Sequence, residues 1–157
     1  MNLVLALAFG IGVIAGLRSM TAPAVVSWAI HLGWLHLAGS RLANMGTTLA
    51  VTILTVLAVG ELIADKLPFT PNRTAPGPLI ARIVTGSVCA AAIAISAHIS
   101  MQAGAVLGAV GAIAGAFGGY NVRRQLVHGA GVPDFVVALG EDLVAIGGAL
   151  LIVTAAR

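Results

Sequence analysis

An all-α, polytopic transmembrane helix bundle is the fold this sequence predicts, and three observations predict it. Of 157 residues, 59% are hydrophobic and only 8% are charged, whereas a soluble domain carries roughly 25% charged residues. So little polar surface cannot coat a globule in water. The apolar residues fall into long runs separated by charged or proline-containing stretches. Within those runs glycine and alanine dominate, the composition of helices that pack closely inside a bilayer. Nothing in the middle of the chain reads as a linker between two cores, so residues 1–157 are expected to form a single integral membrane domain.

The runs, in order, are Leu3 to Leu17, Ala22 to Ala38, Leu42 to Ala64, Ile83 to Ile99, Ala103 to Tyr120 and Phe135 to Ala156. Crossing a ~30 Å hydrocarbon core takes about 20 residues. The Leu42 and Phe135 runs qualify outright, and the Ile83 and Ala103 runs qualify with slight tilting. The first run is too short alone. It is followed by Arg18-Ser19-Met20-Thr21-Ala22-Pro23, which reads as a helix break and restart, with Thr21 available to cap free amides and Pro23 tolerated in a first turn. The first two runs are therefore expected to form one broken or re-entrant element. That makes about five crossings, or six where Ala22 to Ala38 spans by itself. Met1-Asn2-Leu3 lacks a basic n-region, so the first run is expected to be a retained helix.

Charge is scattered at the ends of the runs, with a formal net charge of +3. No continuous basic stripe exists, so nucleic-acid binding is not indicated. In the five-crossing arrangement Lys66, Arg73, Arg82, Arg123 and Arg124 share one side, and Arg18, Arg41 and Arg157 the other. The positive-inside rule then predicts a cytoplasmic N-terminus. The glycines at 104, 108, 111, 115, 118 and 119 set a small-residue face for helix contact, within the chain or between copies in a homo-oligomer. A weak echo links Ile14-Ala15-Gly16 to Ile113-Ala114-Gly115 and Glu61 to Glu141, and would make an inverted repeat. Cys89 is the lone cysteine and His31, His36, His98 and His128 are not spaced as ligands on one helix, so no metal site and no cofactor is read.

Ionisable groups inside a membrane cost roughly 2.5–3.5 kcal/mol each on insertion scales, so they need a partner or a task. Arg18 with Ser19 and Thr21 lies at the break, where free amides and a cation suit an anion. Glu61 and Asp65 are one turn apart on a helix face, and Glu141 with Asp142 is expected at a similar depth from the same side. Such carboxylates hold a cation, relay a proton, or pair with arginines. The stretch from Leu67 to Pro78 holds four of the six prolines and reads as a stiff extended loop. Arg73 and Thr74 in it, and Lys66 just before it, are possible phosphate-binding groups.

The motifs Gly16-Leu17-Arg18-Ser19-Met20-Thr21-Ala22-Pro23-Ala24, Glu61-Leu62-Ile63-Ala64-Asp65-Lys66-Leu67-Pro68 with Thr70-Pro71-Asn72-Arg73-Thr74, Gly119-Tyr120 with Arg123, and Glu141-Asp142 resemble a bacterial membrane family catalogued as a domain of unknown function, number 4126. The resemblance covers nearly the whole chain and implies a membrane protein but no activity. The acidic helix end before the proline-rich loop is also faintly similar to membrane enzymes that modify polyprenyl or phospholipid alcohols. Three readings follow. The leading one is a transporter- or channel-like protein of the bacterial inner membrane, not an enzyme, with Arg18, Ser19, Thr21, Glu61, Asp65, Glu141 and Asp142 forming a site for a small ion or anionic substrate. The alternatives are an enzyme acting on a lipid or polyprenyl phosphate through Lys66, Arg73 and Thr74, with Glu61 or Asp65 for a metal, and a non-catalytic scaffold.

Overall fold

The computed structural model describes residues 2–65 and 74–157. The described residues form α1 (Asn2–Leu17), α2 (Thr21–His31), a 3-10 turn (Arg41–Gly46), α3 (Thr48–Ala64), α4 (Pro76–Ser96), α5 (Met101–Arg124) continued by a π turn (Gln125–Gly129), and α6 (Asp134–Ala155). There is no strand among them. Among the described residues, three helices are long and apolar enough to cross a membrane: α4, α5 with its π turn, and α6. The apolar helices α1 and α3 are shorter, at 16 and 17 residues, which at ~1.5 Å per residue rise ~24–26 Å.

The bundle is built with small residues inside and large ones outside. Ala8, Ala15, Ala90, Ala92, Ala112, Ala116, Ala145 and Ala149 are buried, while Leu49, Leu143 and Leu151 are each more than 70% exposed. Lipid is as apolar as leucine, so close backbone approach holds such helices together rather than sequestration of large side chains. The centre is a trunk of α1, α4 and α5. Gly12 lies on Gly108, and Gly16 on Ala112 and Gly115, so α1 and α5 run parallel. Gly86 lies on Gly108 and Gly104 on Ala90, so α4 runs antiparallel to both. A Cβ added to Gly12, Gly16, Gly108, Gly111 or Gly115 would collide with backbone across the seam. The glycines at 104, 108, 111 and 115 are therefore consumed within the chain. The weak echo between the Gly16 and Gly115 segments does not correspond to an inversion, because these two helices point the same way and pack on each other.

The other helices surround the trunk. α6 runs antiparallel to α1, with Ile152 on Gly10 and Ile14 on Gly148. α2 runs back along α3, with Trp28 Nε1 donating to Thr55 Oγ1 at 3.1 Å. The C-terminus of α1 thus lies at the same end as the C-terminus of α3, the N-terminus of α4, the C-terminus of α5 and the N-terminus of α6. At the opposite end His36 N donates to Ser96 Oγ, and Arg157 stacks on Trp34. The chain returns to that end through α2 and the segment after it. Arg18 therefore shares its end with Arg82, Arg123 and Arg124, contrary to the five-pass allocation.

Three boundaries differ most from the sequence reading, and the first is α3, which starts at Thr48 after the 3-10 turn instead of at Leu42 and so falls short of the outright span expected of that run. α2 stops at His31 instead of running to Ala38, because Gly33 adopts φ +73 and ends the helix in the left-handed conformation that glycine tolerates. Leu35 and Leu37 then turn inward to the core. α4 starts at Pro76 rather than Ile83, since a proline at the first helical position loses no hydrogen bond. Residues 76–78 of the expected loop are thus helical, and Arg82 lies inside a helix rather than before it.

Candidate functional site

The break between α1 and α2 exposes two helix ends of opposite sign. The last carbonyls of α1 lack helical partners and carry partial negative charge, while the first amides of α2 carry partial positive charge. Each end receives a matching side chain from elsewhere. Arg82 Nε of α4 donates to the Gly16 carbonyl at 3.2 Å. Glu61 of α3 accepts from Ser19 N at 2.8 Å, Ser19 Oγ at 2.6 Å and Met20 N at 2.8 Å. The carboxylate of Glu61 thus performs the capping that the sequence assigned to Thr21. Thr21 is the first residue of α2, and Met20 before it makes no side-chain cap.

Arg18 occupies the break itself and is fully buried. Its Nη1 donates to Asp65 Oδ2, one turn beyond Glu61 on the same face of α3. Its Nη2 lies 2.5 Å from Asp142 Oδ1 of α6, an ionic contact off the hydrogen-bonding direction. Glu61 and Glu141 meet other arginines instead. Glu61 is held one turn short by the α2 amides, with Arg82 Nη2 at 3.8 Å from its Oε1. Glu141 lies next to Asp142 but ~100° around the helix, the rotation of one residue, and so faces α5. There Arg123 Nη1 is 3.9 Å from Glu141 Oε2, and Arg123 makes a two-pronged contact with Asp134 at 2.6 and 2.7 Å.

All five acidic residues of the protein therefore gather at one end of the bundle. They come from α3 and α6 and meet arginines from α1, α4 and α5. The groups bring together Arg18, Ser19, Glu61, Asp65 and Asp142, with Glu141 in the adjoining Arg123 cluster. Thr21 Oγ1 and Arg18 Nε are buried without hydrogen-bond partners among the described residues. Thr74 is half-buried just before α4, and Lys66 and Arg73 lie outside the described residues. Arg82, Arg123 and Asp134 were missed as site residues. The signal for Arg82 was Pro76, six residues earlier, which marks a helix start and so places the arginine inside the bundle.

Two clefts adjoin this end. One, of about 520 Å³, mixes polar and apolar surface in equal parts and is lined by Tyr120, Arg123, Arg124, Val127, His128 and Asp134. The other, of about 500 Å³, is almost entirely apolar and lies between α5 and α6, bounded by residues such as Leu17, Val122, Leu126, Val136 and Val144, with Arg123 and Glu141 at its margin.

A helical bundle with three candidate spans, an interior of small residues and an exterior of large apolar ones defines a multi-pass membrane protein. The chain belongs to the family described as "Domain of unknown function (DUF4126)", whose model matches residues 5–156. No curated protein and no solved structure matches it.

Proposed function

We propose that this protein is a small carrier- or channel-like protein whose ion or anion site is the charged junction of α1, α2, α3 and α6. The supporting observation is the convergence of Arg18, Glu61, Asp65 and Asp142 on a helix break inside an otherwise apolar bundle. Buried ion pairs add little net stability compared with apolar packing, so a purely structural need is a weak reason to build this cluster. Broken helices whose ends meet ionisable groups at membrane depth are the usual form of a transporter binding site.

The packing supplies a moving part. Among the described residues α3 packs mainly on α2 and the 3-10 turn, and it meets the trunk side through Arg18–Asp65 and Arg82–Glu61. A proton or cation competing for Asp65 or Glu61 weakens those links and frees the α2–α3 pair from the trunk. An anion competing with the carboxylates for Arg18 and the α2 amides does the same. By the positive-inside rule the Arg-rich end is cytoplasmic, and with the six-pass path the N-terminus is then on the outer face. We place the protein, as a single integral domain and a homo-oligomer, in a bacterial inner membrane. The enzyme alternative depends on Lys66 and Arg73, and no observation among the described residues favours it.

The test is flux in proteoliposomes under imposed proton, sodium, potassium and chloride gradients, for the wild type and for Glu61→Gln and Asp142→Asn. Gradient-driven flux that both variants lose, while they elute and melt as folded protein, supports the proposal. Wild-type protein that moves none of these ions at any pH, or variants with unaltered flux, would overturn it in favour of a scaffold.

A further inference from the structure

The two clefts beside the charged junction share one residue, Arg123. The helix geometry explains why. Tyr120, Arg123, Arg124, Val127 and His128 recur at spacings of three and four and form one stripe of α5 and its π turn, while Val122 and Leu126 form the neighbouring stripe. One stripe faces the basic cleft and the other faces the seam with α6, and Arg123 is the edge between them. α5 is pressed against α1 and α4 but touches α6 only slightly. The seam therefore opens into an apolar groove of a volume typical of small-ligand sites, ending at a basic cleft.

We infer that this pair of clefts binds one anionic phospholipid, with an acyl chain in the α5–α6 groove and the phosphate in the basic cleft. The charge balance chooses this occupant. Among the described residues, Arg123, Arg124 and His128 face the Asp134 carboxylate in the cleft, which Arg123 engages, and Glu141 lies at the margin of the groove beside Arg123, so Arg124 is the cation left to meet an added anion. Arg124 makes no ion pair among the described residues. A phosphate diester accepts from a guanidinium, an imidazole N–H and the Tyr120 hydroxyl, the donors that basic pockets between transmembrane helices offer acidic lipid headgroups. A wholly apolar occupant leaves the cleft unused, and a soluble anion leaves the groove unused. The proposal does not depend on transport, since it concerns a different face of α5 from the one that meets α1.

The experiment uses the full-length protein, stripped of lipid in detergent, with native mass spectrometry reading adducts of dioleoyl phosphatidylglycerol and dioleoyl phosphatidylcholine. A single phosphatidylglycerol should be retained at concentrations where phosphatidylcholine is not, and added salt should weaken it. Arg124→Gln and His128→Gln should each lower its affinity, by about fivefold for the arginine. Val136→Trp, which fills the groove and leaves the basic cleft intact, should reduce binding at least as much. Variants that fail to fold leave the lipid preference and salt response of the wild type to decide. Equal retention of phosphatidylcholine, indifference to Val136→Trp, or a second copy of the chain blocking the groove would overturn the assignment.

Discussion

One helix, α5, makes both the closest and the most open seam of the bundle. Toward α1 it presents Gly108, Gly111 and Gly115 in register with Gly12 and Gly16, and the two backbones touch. Toward α6 it presents Val122, Arg123 and Leu126, while Gly118 on α5 and Gly140 and Gly147 on α6 meet nothing within 4 Å among the described residues. The α5–α6 seam is bridged instead by Arg123 with Asp134 and Glu141, and α6 is tied to α1 by Arg18 with Asp142. The contrast teaches that glycine alone does not bring helices together. Backbones touch only where the facing position is also small; elsewhere a large side chain, as Ile152 on Gly10 and Ile14 on Gly148, or a charge pair spans the gap.

The largest effect should come from cutting the charge bridge at its centre. Arg18→Met leaves Asp65 and Asp142 facing each other without their buried cation, a loss of about 3–5 kcal/mol. It should appear as a collapse of the folded fraction in thermal unfolding on detergent-solubilised protein, and a melting temperature unchanged within error would show that the junction is not structural at all.

Gly115→Leu attacks the seam closed by shape. Its side chain would meet the Val13 backbone, which has no rotamer to yield, so about 3 kcal/mol or more is expected, the upper part of the range for overpacking. Replacement with wild-type stability would mean that α1 and α5 separate at no cost. An intermediate effect is expected at the α2 end. Glu61→Gln keeps the shape but removes the charge facing the α2 amides and Arg82, a loss of roughly 1–2 kcal/mol from weaker charge-assisted bonds. Hydrogen exchange should localise it to the first turn of α2; uniform destabilisation of the trunk would contradict the capping assignment.

The smallest effect, and of opposite sign, belongs to the open seam. Gly147→Ala adds a methyl where there is room and removes glycine's conformational freedom, so a gain of about 0.5–1 kcal/mol is expected. Destabilisation there would reveal a partner covering that face of α6.

The sequence by itself determined that the chain is helical and lies in a membrane, because composition sets the solvent a chain can live in. It also marked Arg18, Glu61, Asp65, Glu141 and Asp142 as residues needing an explanation, since the cost of a charge in hydrocarbon does not depend on knowing its partner. Which partners meet was decided only by tertiary structure. A rotation of one residue sends Asp142 to Arg18 and Glu141 to Arg123, and the difference of one turn gives Glu61 to the α2 amides and Asp65 to Arg18. Neither can be read from spacing along a single helix. The path of the chain was hidden for a similar reason. Gly33 ends α2 early, the segment after it carries the chain back across the bundle, and the end of the bundle at which Arg18 lies follows from contacts that join residues more than forty positions apart.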